Sequence, residues 1–205
     1  MVRLRPQQPT VVLGSSQAAS VVDADRALAR GVGIVKRRSG GGAVWLDDSV
    51  VWFDVVLPSG DRLVHHDVQR AFHWLGELWA EVIRDSVKGV GEVLVHTGPA
   101  ERSPMSRLIC FAGLGPGEVT VDGRKVVGIS QRRTRHYVVF QCGLLLRWDP
   151  APLVELMTPG LVAAGLLAAD GTGIDPVIGS LTGRCAGVDD ASVATRFVDR
   201  VCSVN

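Results

Sequence analysis

The stretch "VKRRSGGGAVWLDD", Val35 to Asp48, sets Arg37, Arg38 and Ser39 directly before Gly40, Gly41 and Gly42, with Ala43 beyond. Glycine inside a regular element costs roughly 0.5–1 kcal/mol relative to alanine, so three in succession need a reason. One reading is a loose turn between two strands. The other is a wall of bare backbone against which a ligand lies, with Arg37 or Arg38 meeting a carboxylate or phosphate. A phosphate-cradling loop does not fit, because no Lys-Ser/Thr follows and the next pattern is a strand, not a helix. The dinucleotide-binding fingerprint fails on the same requirement. A second stretch, "DGRKVVGISQRR", places Lys125 on a strand with Gly128 three positions on. An interior strand glycine marks close approach by something else.

Elements must carry these residues. "TVVLG", "GIVKR", "AVWL", "VVWFDVVL" and "YVVFQCGLLL" are rich in β-branched and aromatic residues and predict strands. "VDGR" predicts a tight hairpin leading into the Lys125 strand. "DADRALARG" predicts a short helix capped by Asp23. Apolar residues from Val68 to Ile83 recur at spacings of three and four, a core-facing helix that Asp67 can cap. Two further helical patterns, "DPAPLVELM" and "DDASVATRFVDRVCSV", occur from Asp149 onward. Strands with few, unevenly placed helices predict α+β, with a mixed or antiparallel sheet.

Composition narrows the function. At 205 residues one domain, 1–205, is the expectation, and 46% hydrophobic content fills a sizeable core. A net charge of +1 argues against a nucleic-acid partner. "VVWFDVVL" and "GLVAAGLLAA" fall short of the about 20 apolar residues a membrane span takes. The start, "MVRLRPQQPT", has no apolar leader core, so a cytoplasmic protein is expected. Cys110, Cys142, Cys185 and Cys202 contain no paired spacing, which predicts free thiols and no metal site. His65, His66 and His73 are expected on the surface or at a cap.

Together "RRSGGGAV" and "DGRKVVGISQRR" resemble, in order and separation, motifs of the lipoate–protein ligase and octanoyltransferase superfamily, relatives of biotin–protein ligases. "VVLGSSQ" upstream and "LTGRCAGVDD" downstream extend the resemblance over most of the chain. It implies an α+β fold of the class II synthetase and biotin–lipoate ligase kind, with a mixed, largely antiparallel sheet flanked by helices. It also implies acyl transfer to one lysine of a lipoyl-carrier domain, such as a 2-oxoacid dehydrogenase subunit or the glycine-cleavage H protein. The glycine run would wall an acyl tunnel, with Arg37, Arg38, Ser39, Gly40, Gly41, Gly42, Ala43, Gly128 and Ser130 binding substrate. Lys125 matches the family's lysine beside the acyl carbonyl, where a fixed ammonium would stabilise developing negative charge. Two positions depart from the family: Trp45 and Leu46 stand where many members carry Tyr-His, and Cys142 and Gly143 where many carry His-Gly.

Transferases of the superfamily use a cysteine thioester, take octanoate from acyl carrier protein and need no cofactor. "ICFAGLGPGEVTVDGRK" resembles, in order, one transferase branch, which implies Cys110 as the nucleophile; a neighbouring cation would favour the thiolate. Cys110 also reads as a core cysteine after Leu108 and Ile109. Ligases instead activate free lipoate with ATP and magnesium and usually carry a further C-terminal domain, which this sequence is not expected to have. A non-catalytic acyl-binding homologue or split-ligase subunit is the third reading.

Overall fold

A computed structural model describes residues 1–157, 178–179 and 189–204. "GLVAAGLLAA", most of "LTGRCAGVDD" and Cys185 lie outside the described residues. The strands form two sheets. The larger has the order β1 (Val2–Leu4), β5 (Val50–Pro58), β9 (Tyr137–Leu145), β8 (Arg124–Arg133), β7 (Val119–Val121), β6 (Val93–Val95), with every pairing antiparallel. The smaller sets β2 (Thr10–Leu13) between β3 (Gly33–Lys36), parallel to it, and β4 (Val44–Leu46), antiparallel. The expected mixed, largely antiparallel character holds, divided between two sheets.

Period-two alternation along β5 gives each sheet face its own core. Val51, Phe53 and Val55 join the cluster under α2 (His73–Ser86) and α4 (Asp190–Ser203). Phe197 of α4 stacks on Trp79 of α2 at 4.1 Å between ring centroids and on Phe53 at 4.6 Å, a close aromatic anchor for both helices. Val50 and Trp52 point the other way, into a second cluster with the small sheet, Ala27 of α1 (Ala24–Ala29), Leu153 of α3 (Ala151–Leu156), Ile109 and Phe111. The chemistry-bearing segments meet on this second side.

Local signals account for the turns. Asp122 and Gly123 sit at φ 51° and 75° between β7 and β8, the left-handed pair a two-residue hairpin needs. Asp23 caps α1 by accepting from the Arg26 amide at 2.9 Å. The expected helix from Asp67 begins later: Asp67 accepts from the Gln69 and Arg70 amides, a 3₁₀ turn spans Arg70–Phe72, and regular helix starts at His73. Among the described residues no helix is long and apolar enough to cross a membrane, and no three His, Cys, Asp or Glu side chains are grouped to hold a metal ion.

Candidate functional site

The glycine run links β3 to β4 by wrapping around a buried guanidinium. Arg37 is only 7% exposed. Its Nη2 donates to the carbonyls of Gly40 and Gly42 at 2.8 Å each, its Nη1 to Val12 at 3.1 Å, and its Nε to Ser39 Oγ at 3.1 Å. One nitrogen can collect carbonyls two residues apart because Gly41 between them takes φ +98°, a region that favours glycine. Arg37 therefore supports the run from behind. Arg38 is exposed, and neither arginine lines the cavity in front of the run. Four of the five N–H donors of Arg37 are thus engaged by the run and its neighbours, so its first role in the structure is support.

The far side of the run is stitched to Cys110. Ala43 donates to the Leu108 carbonyl at 2.7 Å, and the Cys110 amide donates back to the Ala43 carbonyl at 3.0 Å. A Cβ on Gly42 would stand 2.7 Å from the backbone of Ile109 and Cys110, so only glycine permits the approach. The 3₁₀ turn Cys110–Ala112 then leaves Cys110 half-buried, with Sγ 3.3 Å from the position a Gly41 Cβ would occupy.

Lys125 reaches the same place from the other sheet. In a regular strand Lys125 and Gly128, three apart, would face opposite sides. A register shift against β7, with Val119 opposite Val127 and Thr120 opposite Lys125, inserts one extra residue in β8. Val126 and Val127 both enter the main core, and Lys125 joins the Gly128 face. A Cβ on Gly128 would lie 3.5 Å from Lys125 Cε and 3.2 Å from Phe111 Cζ, so glycine here is the floor over which the lysine passes. Lys125 is 1% exposed. Its ammonium donates to the carbonyls of Cys110 at 3.0 Å and Gly113 at 2.8 Å, pairs with Glu118 Oε2 at 2.6 Å, and lies 5.1 Å from the Phe111 ring centre.

Ser130, two positions beyond Gly128, ties the sheets together. Asp54 accepts both hydrogen bonds from Gln141 Nε2, which fixes that amide with Oε1 towards Ser39. Ser39 Oγ therefore donates to Gln141 at 2.6 Å, and its 2.9 Å contact with Ser130 is donated by Ser130.

A cavity of about 360 Å³ opens between these walls, lined by Gly40, Gly41, Cys110, Glu118, Lys125 and Ser130 among others. That is the size range of small-ligand pockets. A second cavity of about 580 Å³ meets it at Gly41, Arg102 and Ser106. Sequence reasoning missed Arg102, Ser106 and Glu118. The first two lie in the polar stretch "GPAERSPMSR", which carries no motif. Glu118 did leave a signal, being the one carboxylate between Cys110 and Lys125 outside the hairpin turn.

The remaining cysteines separate cleanly. Cys142 is fully buried in β9, where its thiol donates to the Phe53 carbonyl, and burial pushes its pKa up to about 12. It is a packing residue. Cys202 is exposed on α4. Trp45 donates to Asp47, and neither Leu46 nor Cys142, the two positions where many members carry histidine, lines the cavity.

Gly40 tests the cavity without disturbing its frame. A Cβ there meets nothing within 4 Å, and Gly40 is not among the glycines at positive φ. Gly40→Leu should melt at the wild-type temperature yet weaken binding in the cavity at least about tenfold, by filling space a ligand needs. Gly41→Val should instead lose about 1–3 kcal/mol of stability from backbone strain. Melting curves paired with titration by octanoate, the ligand the sequence resemblance implies, separate the two, and unchanged binding in Gly40→Leu would move the ligand site elsewhere.

A family model for the lipoyl protein ligase A/B catalytic domain matches residues 1–162. An octanoyltransferase LipM from Moorella thermoacetica is 30% identical over 178 residues, covering 83% of this chain and 64% of that protein. A lipoyl-[GcvH]:protein N-lipoyltransferase from Listeria monocytogenes is 30% identical over 154 residues, covering 73% of this chain and 50% of that protein. The chain thus spans roughly half to two thirds of the length of the curated relatives it matches. Among solved structures, the bi-partite lipoate protein ligase of Thermoplasma acidophilum superposes with TM-score 0.68 at 17% identity, over 96% of this chain and 67% of that one. A lipoate-protein ligase A bound with ATP gives TM-score 0.63 at 18% identity, over 96% and 68%. These two likenesses establish the fold.

Proposed function

Because the chain belongs to the lipoyl protein ligase A/B catalytic domain family, we propose that it moves an octanoyl or lipoyl group, through a thioester on Cys110, to a lysine of a lipoyl-carrier protein. One observation carries this reading: Cys110 and Lys125, brought from different segments, share one cavity whose wall is the Gly40–Gly41 backbone. In the first step the Cys110 sulfur attacks the carbonyl of an acyl thioester such as octanoyl-acyl carrier protein. A carbon–sulfur bond to Cys110 forms, and the donor thiol leaves with a proton. In the second step the acceptor lysine amine attacks the Cys110 thioester, an amide forms, and the cysteine regains its hydrogen. Each step passes through an oxyanion. The Lys125 ammonium can meet it by exchanging one of its two carbonyl partners, Cys110 or Gly113.

Relatives named as octanoyltransferases and as GcvH-directed transferases support this choice, with the glycine-cleavage H protein or a 2-oxoacid dehydrogenase subunit as acceptor. The fold likeness to an ATP-bound ligase supports a second reading, activation of free lipoate with ATP and magnesium. Of the two carboxylates on the cavity, Glu118 is paired with Lys125, which leaves Glu101 for a cation, so the nucleotide's own phosphates would have to complete a magnesium site. The readings part in a transfer assay with purified H protein. Modification from octanoyl-acyl carrier protein without nucleotide supports the thioester route, and modification only from free acid with ATP supports the ligase.

A further inference from the structure

We propose that Glu118 is a positioning residue for the reaction: it holds the Lys125 ammonium in the cavity and neutralises it there. This rests on the site described above. An ammonium 1% exposed and a carboxylate whose side chain is 7% exposed stand 2.6 Å apart. Burying either charge alone is strongly unfavourable, whereas together they are tolerated when the remaining donors and acceptors are met.

They are met here. The three protons of the ammonium go to Glu118 and to two carbonyls, and only Glu118 among those partners carries charge. The carboxylate accepts in turn from Lys125 and the Gly115 amide at 2.6 Å each and from the Ile129 amide at 3.1 Å. One side chain thereby locks the Gly/Pro loop after Cys110, the strand β8 and the lysine into a single arrangement. The β8 register shift aims Lys125 across this loop, and Glu118 catches it.

A group acting through Lys125 has a signature that a merely structural one lacks. Glu118→Gln keeps the shape but removes the charge, so octanoyl-acyl carrier protein should acylate Cys110 about 100-fold more slowly in a single turnover, with KM little changed. Glu118→Asp should recover part of that loss. In a Lys125→Met background the Gln substitution should cost nothing more, because its target is gone. Melting provides a second readout. Each single variant strands a buried charge and should melt roughly 10 °C lower, while the Glu118→Gln/Lys125→Met double, with neither charge, should recover much of the loss.

Wild-type acylation in Glu118→Gln, multiplied losses in the double, or a double that melts below both singles would overturn the role. If the wild-type protein itself forms no Cys110 thioester, the transferase reading fails. The melting arm still decides whether Glu118 and Lys125 act as a pair.

Discussion

If the proposed thioester route holds, Cys110→Ser should slow acyl transfer from octanoyl-acyl carrier protein by roughly 10³-fold or more, whereas Cys142→Ser should leave it intact. A serine hydroxyl in place of the thiol keeps the size and the backbone pairing to Ala43. It is a far weaker nucleophile than the thiol it replaces. Cys142 behaves differently for a reason visible in the core: it is fully buried, and its thiol stays protonated because burial pushes its pKa up to about 12. Iodoacetamide at neutral pH should therefore label Cys110 and spare Cys142 in the folded protein, with octanoate protecting Cys110. Peptide mapping of the alkylated protein checks this. Labelling of Cys142 ahead of Cys110, or full transfer by Cys110→Ser, would make Cys110 a packing residue and favour the ligase.

Lys125→Ala should abolish activity to a similar degree under either enzymatic reading, because both place developing negative charge at this ammonium. The same change strands the Glu118 carboxylate and should remove about 3–5 kcal/mol of stability. Activity must accordingly be read below the lowered melting point. Lys125→Arg should rescue poorly. The site accepts one compact ammonium between two carbonyls and one carboxylate, and a planar fork with five fixed donors cannot reproduce that geometry. Turnover near wild type in either variant would remove Lys125 from the reaction.

The elements were legible wherever local chemistry determines them. The Asp122–Gly123 hairpin, the Asp23 cap and the β-rich segments all announce themselves through residue type, and the glycine run marked its own segment as unusual. Tertiary choices were not legible. Nothing in the pattern separates one mixed sheet from two sheets facing one another, since that depends on which strand finds which partner. Arg37 reads as an anion-binding residue because an arginine beside glycines so often is; only the folded loop turns the Gly40 and Gly42 carbonyls onto it. The β8 register shift is likewise invisible in "RKVVGIS", where two adjacent valines satisfy any register. Yet that one extra residue brings Lys125 and Gly128 to the same face. Glu118 escaped notice because its importance lies in a buried pairing across a bulged hairpin.

The thioester itself is the most direct test. Wild-type protein incubated with octanoyl-acyl carrier protein, without nucleotide, should show by intact-mass and peptide mass spectrometry one octanoyl group on Cys110. Hydroxylamine, or an added carrier-protein acceptor, should discharge it. An unmodified Cys110 under those conditions, with the acceptor acylated only when ATP and free acid are supplied, would contradict the account.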